Sequence, residues 1–225
     1  MRHLNSFQIT LNISSLLFSV MNSNFMLKDF SERDYNDAIA FHGHSCAGLA
    51  LGYAAALYAR ELLSLDYSED EEVVVITETD SCTVDAIQTI IGCTAGKGNL
   101  FVNNWGKNAF TFYNRTTGKA IRLMMRHDFF KPNPELDALR GKVFSGNASK
   151  EEIDKYHALS EQRVDAILSV PGSEIYEIKE PQQPVPEKAK IFGNIVCPVC
   201  NESVGDARCV KVDDQLICQF CAQKK

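Results

Sequence analysis

The sequence has no hydrophobic run long enough to cross a membrane, because no uninterrupted apolar stretch approaches the ~18 residues that a spanning helix needs. It also has no surplus of positive charge: 23 lysines and arginines stand against 29 aspartates and glutamates, for a net charge of −6. This balance gives no support to broad electrostatic binding of nucleic acid or of an anionic membrane. Residues 9–20 are apolar, but polar residues interrupt them and no small-residue cleavage site follows, so they make a poor signal peptide. We predict a cytoplasmic protein in which residues 1–25 form a disordered leader.

Several common enzyme motifs are absent as well. There is no Gly-x-Ser-x-Gly nucleophile elbow and no Rossmann fingerprint. The glycine-rich segment 92–99 fails the P-loop pattern, because three residues rather than four separate Gly92 from Gly96 and Lys97 precedes Gly98 instead of serine or threonine. Lys97 and Asn99 are still candidates for a looser contact with an anion or a cofactor.

The remaining sequence predicts an α+β protein with a small appendage. Its 225 residues are 45% hydrophobic, which suffices for one domain with a real core. The proline-rich segment 181–190 predicts a stiff linker between a core domain, 26–180, and a second domain, 191–225. We expect a buried strand over 73–79, a helix after Cys82 and an antiparallel meander over 100–125. Two helices, over 134–144 and 149–168, and a last strand over 174–179 complete the core.

Four of the eight cysteines form two Cys-x-x-Cys pairs near the C-terminus: Cys197, Cys200, Cys218 and Cys221. The 17 residues between the pairs suit two knuckles that converge on one tetrahedral zinc ion. Such a site is structural, because four thiolates leave no position for a substrate; redox disulfides are the alternative. The charges of this segment cancel, which favours contact with protein over nucleic acid. Cys209, between the pairs, is expected to be a spare thiol.

A second constellation lies in the core. His42, His44 and Cys46 occur within five positions ahead of an expected helix, and Cys82 follows the strongest predicted strand. Imidazole and thiolate ligands suit a metal site with an open position, whereas an activated cysteine is the other interpretation. Asp80 and Asp85 flank Cys82 and are candidates to orient a histidine, while Cys93 is either a further ligand or a small core residue.

Three linked motifs carry a resemblance to a known family: 41-FHGHSCAG-48, 79-TDSCTVD-85 and 92-GCTAGKGN-99. In this order they resemble the two-domain members of the FmdE family. The family is named for a subunit of formylmethanofuran dehydrogenase. The resemblance implies a thioredoxin-like α+β core, whose mixed sheet is flanked by helices, followed by a small treble-clef zinc finger or zinc ribbon. It also implies a core metal site at the positions of His42, His44, Cys46 and Cys82. Ala47 departs from the proline that the family often has after the motif cysteine.

Three functions remain open at this point. In the first, the protein is a metal-dependent accessory subunit or small enzyme of anaerobic one-carbon or molybdopterin-linked metabolism, associated with molybdenum or tungsten enzyme subunits. In the second, it carries or senses metal, and the zinc finger docks a protein partner. In the third, Cys46 and Cys82 cycle through a disulfide. The candidate catalytic residues are His44, Cys46, Cys82 and Asp85. Zinc is expected in the finger, zinc or iron in the core, and a protein partner or a homodimer as the assembly.

Overall fold

A computed structural model describes residues 32–224, so the predicted leader over 1–25 lies outside the described residues. Contacts along the chain separate two compact units, with the division between Glu187 and Lys188. The predicted limits of the domains and of the linker stay a prediction. Within residues 32–224, no helix is both long and apolar enough to cross a membrane.

The first unit is built on a five-stranded sheet with the order β2-β1-β3-β4-β5. β1 and β2 are parallel, and the other neighbours are antiparallel. The first four strands have the order of a thioredoxin-like sheet, and the mixed α+β fold class is thereby confirmed. The strands are β1 Val73–Thr77, β2 Leu100–Val102, β3 Ala109–Asn114, β4 Ala120–Met125 and β5 Tyr176–Lys179.

The predicted meander is wrong in its first strand. β2 pairs with β1 in parallel, with Ile76 opposite Phe101, and therefore lies on the far side of β1 from β3. The physical reason is the loop 103–108, which crosses the end of β1 instead of closing a hairpin. In this loop the Asn103 amide donates to the Thr77 carbonyl at 2.8 Å.

Helices pack on the sheet face that carries Val73 and Val75 of β1. The helices are α1 Glu32–His42, α2 Ala47–Leu63, α3 Thr83–Ile91, α4 Pro134–Phe144, α5 Lys150–Leu168 and the single turn α6 Gly172–Ile175. α2 is central, because its alanine- and leucine-rich sequence is apolar all round and 13 of its 17 residues are buried. Gly52 lets α2 approach α3 closely, since a Cβ at this position would lie 2.2 Å from the Thr83 carbonyl oxygen. Ser149 caps α5 through the expected capping box with Glu152.

The second unit consists of two short hairpins and a terminal helical turn. Its buried centre is made of Ile217 and the cysteines Cys197, Cys218 and Cys221. The sequence provides little other apolar surface here, so the unit depends on its thiol cluster for a core. Its elements are β6 Asn194–Val196, β7 Ser203–Gly205, a 3₁₀ turn Asp206–Arg208, β8 Cys209–Val212, β9 Gln215–Cys218 and α7 Gln219–Ala222.

Candidate metal centres

The core centre forms where α1 ends and α2 begins. His42 is the last residue of α1, Gly43 turns the chain with φ +98°, and Cys46 is the N-cap of α2. The Cys46 thiol accepts the Leu49 amide at 3.3 Å. Such a tight turn between two helix ends needs a residue that tolerates positive φ, which glycine does without strain. The loop therefore concentrates its ligating side chains at one point.

His42, His44 and Cys46 form a group whose ligand atoms all lie within 4.8 Å of one another. The His42 and His44 rings are 4.6 Å apart between centroids, and His42 Nε2 lies 3.9 Å from Cys46 Sγ. His42 and Cys46 are half-buried, and His44 is exposed. Two imidazoles and a thiolate on a partly open surface fit zinc or iron, which prefer these donors.

Asp85 orients His42 from the neighbouring helix. Its Oδ2 lies 2.7 Å from His42 Nδ1, and its Oδ1 accepts the Gln88 side-chain amide at 3.2 Å. A carboxylate on Nδ1 fixes the tautomer that carries the proton there. In that neutral tautomer His42 Nε2 has its lone pair available to a metal, and it lies on the side of Cys46.

Cys82 stands beside this group at the N-cap of α3. A Cβ placed on Gly48 would lie 3.7 Å from Cys82 Sγ and 3.8 Å from Cys46 Sγ, so glycine at position 48 allows the two thiols to approach. Burial raises the pKa of Cys82, and the charge and hydrogen bond of the Cys46 thiol raise it further. Cys82 lies outside the 4.8 Å group, but it borders Cys46 and comes from a different helix.

Tyr35 is a further neighbour of this centre that was not predicted from the sequence. Its hydroxyl lies 3.0 Å from the Oγ of Ser45, which is the residue between the loop ligands His44 and Cys46 in the sequence. The spacing could have revealed it, because residue 35 precedes His42 by two helical turns and so shares its face of α1. Burial raises the Tyr35 pKa, which keeps this hydroxyl a neutral hydrogen-bonding group.

The structure does not bring Lys97 and Asn99, the candidates for contact with an anion or cofactor, to the core centre. The Asn99 side-chain amide donates to the Val73 carbonyl at 3.0 Å, at the beginning of β1, whereas Cys82 follows the end of that strand. Lys97 Nζ donates to the Ser68 carbonyl at 2.6 Å. Both side chains therefore fasten loops at the opposite end of β1.

Cys93 lies at this same end and is fully buried. Its thiol donates to the Val73 carbonyl at 3.3 Å, and burial raises its pKa to about 12. This thiol is a small core residue. Asp80, the other flank of Cys82, is exposed and has no hydrogen bond or ion pair to His42.

The second centre gathers the four cysteines of the C-terminal unit, with their sulfur atoms within 4.8 Å of one another: Cys197, Cys200, Cys218 and Cys221. Backbone amides, that of Cys218 foremost, lower the pKa of Cys197 to about 6. The hydrogen bond from Cys218 and burial raise the pKa of Cys221 to about 12. One thiolate is thus favoured before a cation arrives, and four sulfurs fit a tetrahedral zinc ion. Cys209 stays outside this group and contacts the Gly205 carbonyl at 3.7 Å.

Comparison with known proteins agrees with these features. The family model described as "FmdE, Molybdenum formylmethanofuran dehydrogenase operon" matches residues 41–177, more than half of the chain. A curated relative from Archaeoglobus fulgidus, named a probable S-adenosyl-L-methionine-binding protein, is 29% identical over 189 residues. The match covers 81% of this chain and 50% of that protein, so the chain spans about half the length of this relative.

A solved structure shares the fold. It is a tungsten formylmethanofuran dehydrogenase FmdE-like protein from Syntrophus aciditrophicus, with a TM-score of 0.56 and 24% identity. The likeness covers 90% of this chain and 98% of that one. The matched family region contains the whole core centre, from His42 to Asp85.

Proposed function

The chain belongs to the FmdE family, and from this premise we propose that its core unit binds zinc or iron between His42, His44, Cys46 and Cys82. The observation that carries the proposal is the convergence of His42, His44 and Cys46 within 4.8 Å. The role we infer is that of an accessory subunit or small metal-dependent enzyme in anaerobic one-carbon or molybdopterin-linked metabolism.

The residues around the centre suit an open site. A bound metal would supply Lewis acidity and lower the pKa of a coordinated water. Asp85 holds the proton on His42 Nδ1 and leaves Nε2 free to ligate. The exposure of His44 leaves one side of the cluster accessible to a substrate. Cys46 and Cys82 provide the thiolates that select a soft or borderline cation.

The C-terminal cluster has a different role in this proposal. Four converging cysteines hold zinc without an open position, so the ion organises a small unit that has little apolar core of its own. The unit then serves as a docking element for a protein partner, either a second copy of this chain or a subunit of a molybdenum or tungsten enzyme. A balanced charge argues against nucleic acid as that partner.

Two other functions use the same core residues. A metal carrier or sensor would bind the cation reversibly at the exposed His44 side and signal through the C-terminal unit. A thiol redox protein would instead join Cys46 to Cys82. In that step both thiols lose their protons, a sulfur–sulfur bond forms, and the two electrons reduce the disulfide of a partner protein to two thiols. The proximity of both sulfurs to Gly48 favours this second alternative as a reaction within reach.

Metal analysis of the full chain, purified without oxygen, separates these functions. We expect about two metal ions per chain in the unchanged protein and about one after Cys46→Ser with Cys82→Ser. Cys209→Ser is the matched control, because this thiol lies outside both clusters, and it should keep both ions. A double variant with undiminished metal content would refute the core site.

The redox alternative has its own readout. Alkylation mapped by mass spectrometry should find Cys46 and Cys82 blocked together after mild oxidation and free after reduction, whether or not metal is present. Bound metal that exchanges rapidly with a chelator, with no change in these thiols, would point to the carrier or sensor. Metal that stays bound under the same chelator favours the accessory subunit or enzyme.

A further inference from the structure

A short loop lies at the end of β1 that leads to Cys82. It has no role in the proposed metal site, but backbone hydrogen bonds hold it in place. Residues 103–108 cross the end of β1, where Asn103 donates its amide to the Thr77 carbonyl at 2.8 Å. The amides of Trp105 and Lys107 both donate to the Glu78 carbonyl, each at 3.0 Å. The loop is therefore fixed to the backbone at the end of β1, and its anchor Glu78 precedes Cys82 by four residues.

The support under the loop is itself rigid. The Glu78 carboxylate forms two hydrogen bonds with the Arg122 guanidinium, at 2.6 and 2.8 Å, and both side chains are buried. Gly106 adopts a left-handed conformation with φ +68°, and its amide donates to Asn104 Oδ1 at 3.3 Å. Glycine is favoured at such a turn because a Cβ would strain it.

This rigid loop presents two side chains outward. The Trp105 indole is 52% exposed, and the Lys107 Nζ lies 5.9 Å from its ring centroid. Among the described residues, neither the indole nor the ammonium has a hydrogen bond or ion pair. The ammonium contacts the indole ring, but this contact is weak at so exposed a position and does not account for a large aromatic ring displayed on an ordered loop. Such a display matches the requirements for recognising a ligand.

The chemistry of the pair defines that ligand. An indole face stacks on planar heteroaromatic rings, and the adjacent ammonium attracts an anion. Because the Lys107 ammonium lies over the indole ring, the anionic group of the ligand belongs on the Lys107 side. A nucleotide joins a planar base to a phosphate within one small molecule.

We propose that Trp105 and Lys107 form a nucleotide-binding site at the same end of β1 as the core metal centre. The base stacks on Trp105, and the phosphate pairs with Lys107. This site goes beyond metal binding and does not need the metal to be present. The carbonyl that anchors the loop belongs to Glu78, four residues before Cys82, so a bound nucleotide and the metal ligands share the end of β1.

The chain's single tryptophan provides the experiment. The full chain is titrated with adenosine monophosphate, adenosine and ribose 5-phosphate, with excitation at the red edge of the indole band. We expect saturable quenching by adenosine monophosphate at up to millimolar concentration and weaker binding of adenosine, which lacks the phosphate. Ribose 5-phosphate, which lacks the ring, should leave the fluorescence unchanged. No quenching by adenosine monophosphate would overturn the proposal.

Two lysine variants make the test specific. Lys107→Gln should weaken adenosine monophosphate binding about fivefold, as expected for loss of a partly exposed charge pair, and should leave adenosine binding unchanged. Lys119→Gln, an exposed lysine in the β3–β4 turn at the opposite end of the sheet, should bind like the unchanged protein. Equal affinities for the nucleotide in both variants would show that Lys107 is not part of a site. Metal content, measured on the same samples, keeps this outcome separate from failure of the metal proposal.

Discussion

His42 Nδ1 lies 2.7 Å from Asp85 Oδ2, so the histidine that ends one helix is oriented by a carboxylate in the first turn of another. The arrangement leaves His42 Nε2, 3.9 Å from Cys46 Sγ, as the atom available to a cation. A histidine that served only the fold would not need its second nitrogen directed at a thiol. This relationship ties the geometry of the core centre to the packing of α1 against α3.

Replacing Asp85 should therefore weaken metal binding without removing a ligand. We expect Asp85→Asn to lower the affinity of the core site for zinc by about 10- to 100-fold, because loss of the carboxylate loosens the His42 tautomer and ring orientation. Competition with a chromophoric chelator measures this affinity.

Asp80→Asn is the matched control, since Asp80 also flanks Cys82 but is exposed and makes no contact with His42. It removes the same charge at similar distance along the chain. Equal losses of affinity in the two variants would mean that Asp85 acts through net charge, and no loss in either would remove its orienting role.

Gly52 and Gly141 should respond in opposite directions to the same substitution. A Cβ at Gly52 would lie 2.2 Å from the Thr83 backbone oxygen, so Gly52→Ala should force α2 and α3 apart and cost about 1–3 kcal/mol. Gly141 lies in α4 with nothing within 4 Å of such a Cβ, so Gly141→Ala should stabilise by roughly 0.5–1 kcal/mol.

Denaturant unfolding of both variants measures these free energies. The Gly52 variant should also lose core metal, because α3 carries Cys82 and Asp85 at its start. A Gly52→Ala protein as stable as the unchanged chain would show that the two helices are not in this close contact.

Removing one partner of the buried pair Glu78–Arg122 should destabilise the protein more than removing both. Its side chains are 3% and 4% exposed, so Arg122→Met leaves an unpaired buried carboxylate and should destabilise by about 3–5 kcal/mol. Glu78→Leu combined with Arg122→Met removes both charges and should recover most of that loss. Unfolding free energies of the single and double variants test this, and purely additive effects would contradict it.

Sequence patterns predicted the elements of this fold better than their pairing. The β-branched run before Cys82 and the apolar run after Cys46 specify β1 and α2 locally, because strand and helix periodicities lie within each segment. The position of β2 could not be read this way. It depends on where a six-residue loop crosses another strand, which is a tertiary property.

The candidate sites show the same division. The short spacings His42–Cys46 and Cys197–Cys200 bring ligands together within one loop or knuckle, so they were visible in the sequence. The position of Lys97 and Asn99 could not be predicted, because a glycine-rich motif carries no information about which end of a strand it meets. The ion pair between Glu78 and Arg122 joins the end of one strand to another strand, so no local sequence pattern indicated it.

Cys93 should make stability fall with rising pH in the alkaline range. Burial raises its pKa from 9.0 to about 12, so the folded protein keeps the proton that the unfolded chain loses above pH 9. Below pH 9 both states hold it and Cys93 has no effect. Between pH 9 and 12, the unfolded state binds fewer protons, and this thiol should remove up to about 1.4 kcal/mol of unfolding free energy per pH unit.

Urea unfolding of the unchanged chain and of Cys93→Ala at a series of pH values isolates this contribution, because every other group titrates in both. The difference between the two proteins should change with pH only above 9, and parallel curves up to pH 11 would mean that the Cys93 thiol is not held in a buried, neutral form.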